Sequence, residues 1–306
     1  MSPLPLPHVR PARPVDPPRF DDPDFVRAAD WLARGSDAPV VTVMGAPFAG
    51  GSISGARCDL TPAAIRAQLA RFSVWNVERA VSVEGLAVAD AGDIAFDGDD
   101  VEQAQARIAE TVGAAGTTIV VLGGDNSITV GCARGVDADA LLTFDAHHDC
   151  RDPSVRVTNG SPVRQLVEGG LTTVAQIGVH GFTNAEAHAR WALEHKIHSI
   201  PAAKVRADGI GKTVRGALGF LGRAQRVWVD FDIDVLDRAF APGAPASMPG
   251  GLSPVELEEA AFILGRERRV AGIDITEVDA SADVADITVR AACAVMMSYF
   301  AGVVSR

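Results

Sequence analysis

Cysteine is scarce in the 306-residue sequence: Cys58, Cys132, Cys150 and Cys293 are the only four, widely spaced and with no CxxC pair. That excludes a disulfide framework, and in a chain of this length the four read as reduced thiols in a cytoplasm. Positive charge is also short, with 28 lysines and arginines against 39 aspartates and glutamates and a net charge of −11. Little is available to neutralise phosphates, so neither a nucleic acid nor a membrane is expected as a partner. No apolar run reaches the roughly 18 residues of a spanning helix. The first residues lack the apolar core and small-residue cleavage site of a secretory signal.

What is present suits a globular enzyme. Hydrophobic residues make up 47% and charged ones 22%, enough to bury a large core. Residues 1–24 hold a large share of the 18 prolines and cannot sustain a helix or a central strand. They read as an arm, disordered or extended over the body or a neighbouring subunit, and residues 25–306 read as a single domain. From residue 38 onward short apolar runs alternate with amphipathic stretches. The runs are 40–44, 86–89, 118–122, 141–144, 174–179, 198–200, 227–231 and 270–275; the stretches include 62–73, 101–114, 184–195 and 254–264. Strands without clean polar alternation, each followed by a helix, imply a parallel sheet covered on both faces. The expected fold is α/β, three α/β/α layers around a mostly parallel sheet of about eight strands. In such sheets the chemistry gathers beyond the carboxyl ends of the strands.

Those ends are rich in carboxylates. Asp145-Ala146-His147-His148-Asp149 follows the run 141–144, and Asp232-Ile233-Asp234 closes the run 227–231. Gly123-Gly124-Asp125-Asn126-Ser127 follows the run 118–122, and Thr276-Glu277 follows 270–275. Any one of these aspartates could be no more than the N-cap of the next helix. Together, emerging side by side from a buried sheet, they would repel one another and cost much to desolvate. A dication reverses that balance, and oxygen-rich ligation with one imidazole suits Mn²⁺ better than zinc or copper.

These residues resemble the arginase/agmatinase superfamily. Asp145 to Asp149 matches its DAHxD motif, and Asp232 to Asp237, running on to Ala241-Pro242 and Gly250-Gly251, resembles its DxDxxD motif with Arg238 at a usual proline. Gly123-Gly124-Asp125 begins its GGDHS motif, and Gly45-Ala46-Pro47 with Gly55-Ala56-Arg57 resembles its first strand and loop. The resemblance implies two Mn²⁺ ions, with Asp145 and Asp232 shared, Asp149 completing one site and His147 with Asp234 the other. It implies hydroxide held between the metals as the attacking group on an amidine carbon. Asp149 would carry the proton to the leaving nitrogen, and Glu277 would face the amidine or guanidine. A homo-oligomer, trimer or hexamer, is also implied.

Two departures narrow the chemistry. Asn126 stands where the family has a histidine ligand, so one metal is expected to be loosely held. The loop after DAHxD reads Asn159-Gly160-Ser161-Pro162, without the His-Gly step of arginases and agmatinases. Asp149-Cys150-Arg151 and residues 159–165 instead resemble formimidoylglutamases. Arg151 then becomes a carboxylate clamp for a glutamate-like substrate, unless it merely pairs with Asp149 or Asp152. Asn159, Ser161 and His180 join it as candidate substrate-binding residues, His180 as a substitute proton carrier. The leading expectation is hydrolysis of N-formimidoyl-L-glutamate to L-glutamate and formamide. Its rivals are a ureohydrolase acting on agmatine or guanidinobutyrate, and a non-catalytic relative with a degraded site.

Overall fold

A computed structural model of the protein describes residues 6–12 and 22–306. Along the described chain lie strands β1 (Val9–Arg10), β2 (Val41–Gly45), β3 (Trp75–Asn76), β4 (Val81–Ser82), β5 (Val88–Ile94) and β6 (Thr118–Leu122). They continue with β7 (Ala140–Phe144), β8 (Val174–Val179), β9 (His198–Pro201), β10 (Val227–Asp232) and β11 (Val270–Thr276). The helices are α1 (Ala28–Arg34), α2 (Thr61–Gln68), α3 (Val101–Ala115), α4 (Thr129–Gly135) and α5 (Pro162–Glu168). Then come α6 (Glu186–Glu194), α7 (Ala202–Asp208), α8 (Ile210–Phe220), α9 (Pro254–Arg266) and α10 (Ile287–Val304). Nine strands form one sheet in the order β1-β5-β2-β6-β11-β10-β7-β8-β9, and β3 with β4 forms a separate hairpin. All pairings in the large sheet are parallel except that of β1 with β5.

Strands β2, β7, β8 and β10 are buried along their whole length, as their mostly apolar runs require. Helices α1, α2 and α7 to α10 pack over one face, while α3 to α6 pack over the other. The three layers are therefore as expected, with one strand more than the eight apolar runs. The ninth is β1, drawn from the proline-rich arm: two residues on the sheet edge, where a proline-flanked segment does little harm to the ladder. Residues 1–5 and 13–21 of that arm lie outside the described residues.

Two local expectations need correction. Only Val88 and Ala89 of the run 86–89 are strand, and they open β5, which continues through Asp90 and Asp93 to Ile94. Those polar residues are tolerated because Arg66 meets both, Nε to Asp90 at 2.7 Å and Nη1 to Asp93 at 2.5 Å. Helix α10 is long and apolar enough to cross a bilayer, contrary to the reading of the sequence, but 67% of it is buried inside the protein. It packs against α9 and α2 as a core helix.

The register aligns the strand ends. Phe144 on β7 is the neighbour of Phe231 on β10, and their rings stack with centroids 4.9 Å apart. The next residues, Asp145 and Asp232, therefore leave the sheet side by side. Asp232 in turn neighbours Thr276 on β11, one residue before Glu277. On β6, Leu122 neighbours Ile275 and leads into the loop of Asp125 and Asn126. That loop runs so close to the one after β2 that a Cβ on Gly124 would fall 1.8 Å from the Phe48 carbonyl oxygen. Only glycine fits there.

Candidate metal centre

Four adjacent strands, β6, β11, β10 and β7, deliver their carboxyl ends to one place. Asp145, Asn126, Asp232, Asp234 and Glu277 are all at most 4% exposed, Asp149 is 9% exposed, and the His147 side chain is 24% exposed. Local turns fix the carboxylates. The His147 backbone donates to Asp145 Oδ1 at 2.6 Å, and the Asp234 backbone donates to Asp232 Oδ1 at 2.9 Å. Asp232 thus caps the turn at Ile233–Val235 while its second oxygen remains available. Asp149 and Glu277 both hold left-handed backbone, with φ of 48° and 61°. Non-glycine residues pay for that conformation, and such strain concentrates at working sites.

Two groups of potential ligands overlap at Asp145: Asp145 with His147 and Asp234, and Asp145 with Asp149 and Asp232, each with ligand atoms within 4.8 Å of one another. Asp232 belongs to one of these groups, not to both. His147 Nδ1 lies 3.0 Å from Asp234 Oδ2 and 3.4 Å from Asp145 Oδ1. Asn126 Nδ2 donates to Asp149 Oδ2 at 2.9 Å, and its backbone N–H donates to Glu277 Oε1 at 2.7 Å.

The electrostatics call for added positive charge. Burial, with the charge of Asp234, pushes Asp145 up to about 6, and burial pushes Asp149 and Asp232 well above the usual carboxylate range. Glu277 rises to about 8 through burial and the charge of Asp125, although hydrogen bonds from Asn159 and Asn126 resist it. His147 is the one cation among them: burial favours its neutral form, but Asp234 and Asp145 outweigh burial and raise it to about 12. Asp145 Oδ2 is buried with no hydrogen-bond partner. A buried carboxylate oxygen without a donor is costly, and a cation is the natural remedy. An oxygen-rich donor set with one imidazole fits Mn²⁺.

Above the cluster opens a cavity of about 200 Å³ whose walls include Asp149, Arg151, Asn159, His188, Asp232 and Glu277. Arg151 is exposed and lies across Gly160, where a Cβ would fall 2.6 Å from its Cδ. Among the described residues it forms no ion pair: Asp152 is taken by Arg164 at 3.0 Å, and Asp149 is bonded to Asn126. Asn159 bridges, its Oδ1 accepting from the Ile53 N–H at 3.2 Å and its Nδ2 donating to Glu277 Oε1 at 2.9 Å.

Two of the substrate-binding candidates stand elsewhere. Ser161 is fully buried, and its hydroxyl is spent on the Thr158 carbonyl at 2.7 Å, holding the loop before α5. His180 is not among the residues lining the cavity; its backbone donates to the Ala146 carbonyl and its ring lies against Gly250. Conversely His188, which no sequence motif singled out, lines the cavity from α6. Burial lowers its pKa, and the neighbouring charge of Arg151 lowers it further. Thr183 and Asn184 also reach the wall. They sit in the loop leaving β8, which the strand-end rule marks as a place to look.

Residues 40–302 match the model of the Arginase family. The chain is 35% identical to a formimidoylglutamase from Halalkalibacterium halodurans, over 85% of this chain and 86% of that one. The crystal structure of formimidoylglutamase from Bacillus subtilis superposes with a TM-score of 0.88 at 31% identity, covering 94% of each chain. That of Trypanosoma cruzi formiminoglutamase with Mn²⁺ gives 0.85 at 25% identity, covering 92% of this chain and all of the other. On the match across nearly its whole length, and on the carboxylate cluster at the ends of its central strands, this chain belongs to the arginase family.

Proposed function

We propose that the protein is a formimidoylglutamase-type hydrolase that uses two Mn²⁺ ions. It splits N-formimidoyl-L-glutamate and water into L-glutamate and formamide. The observation that carries the substrate is Arg151, a guanidinium without an ion pair among the described residues, on the wall of a cavity floored by the carboxylate cluster. A cationic amine such as agmatine would meet repulsion there, whereas a carboxylate meets a two-pronged donor.

Asp145, Asp149, His147, Asp232 and Asp234 would hold the metals, with Asn126 as a neutral and weaker ligand. When bound, the metals ease deprotonation of water at neutral pH and neutralise charge developing at the amidine carbon. The chain's own residues do the rest. Arg151 holds the carboxylate end, and Glu277 accepts N–H bonds from the amidine. Asp149 would take a proton from the attacking water and deliver it to the glutamate nitrogen as that nitrogen's bond to the formimidoyl carbon breaks. Asn126 and Asn159 could mark a degraded site, but each is hydrogen-bonded into the cluster, to Asp149 and to Glu277. The reading extends to a single body over residues 25–306 and to a cytoplasmic homo-oligomer of three or six copies. Sequence resemblance supports the assembly, and four buried free cysteines suit a reducing compartment.

Charge reversal tests the clamp. Arg151→Glu should raise KM for N-formimidoyl-L-glutamate by about tenfold or more, the loss expected of a charge-assisted bond, with metal content unchanged. An unchanged KM would sink the glutamate assignment.

A further inference from the structure

Beneath the cluster, two acceptors compete for one proton. The Thr129 hydroxyl lies 2.8 Å from Asn126 Oδ1 and 2.8 Å from Asp274 Oδ2. A hydroxyl has one hydrogen to give. Asn126, Thr129 and Asp274 are at most 1% exposed, so bulk water does not make up the deficit. As a carboxylate, Asp274 takes the stronger, charge-assisted bond. Asn126 Oδ1 is then left facing a lone pair, while Nδ2 on the other side of the same amide donates to Asp149.

A half-turn of the amide removes the conflict. Nδ2 then donates to Thr129 Oγ1, and the Thr129 proton goes to Asp274 Oδ2. The carbonyl oxygen of Asn126 now faces the Asp149 carboxylate. Two oxygens facing each other in a buried site need a proton or a cation between them, and a bound dication displaces the proton. The two ends of an amide have nearly the same shape, so the surrounding hydrogen bonds decide its orientation.

We infer that Thr129 and Asp274 are positioning residues, a relay that holds the Asn126 carbonyl oxygen toward the cluster and makes a neutral amide serve as a metal ligand. The inference rests on the two-metal reading proposed above. Neither residue lines the cavity. Thr129 begins α4, three residues after Asn126 and so on the same side of one helical turn. Asp274 comes up from β11. An asparagine at a ligand position thereby acquires the fixed orientation that a ligand histidine gains from an acceptor behind its ring.

The test is a Mn²⁺ titration of the metal-stripped full-length protein, with bound ions counted by equilibrium dialysis. The wild type should take up two ions. In Thr129→Val the second should bind about tenfold more weakly or worse, as expected on losing an orienting partner, whereas Thr129→Ser should retain it. The decisive arm is Asn126→Asp, because a carboxylate presents an oxygen whichever way it turns. Adding Thr129→Val to Asn126→Asp should change the second affinity by less than about twofold, since the coupling has been removed. A merely structural disturbance would weaken the site in both backgrounds. Equal losses in both, an unaffected Thr129→Val, a folded Thr129→Ser that loses the second ion, or a wild type that never binds two would each overturn the relay. Turnover is not the readout: a wild type that binds two ions but leaves N-formimidoyl-L-glutamate intact would remove the proposed substrate and leave the relay standing.

Discussion

Asn159 donates its side-chain amide to Glu277 Oε1 at 2.9 Å, joining the loop before α5 to the end of β11 across 118 residues. A donor stabilises the charged carboxylate and so opposes the burial that pushes Glu277 up to about 8. Replacing Asn159 with leucine removes that donor. The acidic limb of the pH–rate profile should move to higher pH and kcat should fall by about tenfold or more, within the usual range for a group that tunes an active-site carboxylate. An unchanged profile would mean that Glu277 does not need to be ionised for turnover.

The metal-stripped protein should lose stability as pH rises from 6.5 to 8. Glu277, raised to about 8, and His147, raised to about 12, bind more protons in the folded chain than in the unfolded one across that window. Each extra proton costs about 1.4 kcal/mol of stability per pH unit at most. His148 and His188 shift downward, which works in the opposite direction but only below their unfolded pKa of about 6.5. Mn²⁺ binding displaces protons, so its stabilisation should grow over the same window. Thermal unfolding with EDTA or with Mn²⁺ at both pH values checks this. A stripped protein that melts higher at pH 8 would contradict it.

Arg66→Met should destabilise the fold by about 3 kcal/mol, the order expected when one member of a buried ion pair is removed. The Arg66 side chain is 6% exposed and is the shared partner of Asp90 and Asp93, which would be left facing each other in a largely buried strand. Urea unfolding measures the loss, and the kinetic constants of the folded variant should be unchanged. A loss under about 1 kcal/mol would show that the two aspartates are solvated well enough to stand alone.

The layers and the site were legible in the sequence for the same reason. The mostly apolar runs 141–144 and 227–231 read as buried strands, and Asp145 and Asp232 mark where those strands end. What stayed hidden depends on side chains far apart in the chain. Strand β5 read short because Asp90 and Asp93 look like loop residues until Arg66 is placed between them. His188 carried no signal because nothing local marks the side of α6 that faces Arg151. Ser161 and His180 were drawn in by proximity to motifs, yet the turn before α5 consumes the Ser161 hydroxyl and the loop after β8 turns His180 away.

Turnover by the Mn²⁺-loaded protein is the most direct test, with N-formimidoyl-L-glutamate, agmatine, 4-guanidinobutyrate and arginine offered side by side. Formamide and glutamate should come from the first and no urea from the other three. Urea from any guanidine, with the glutamate derivative untouched, would contradict the substrate reading of Arg151.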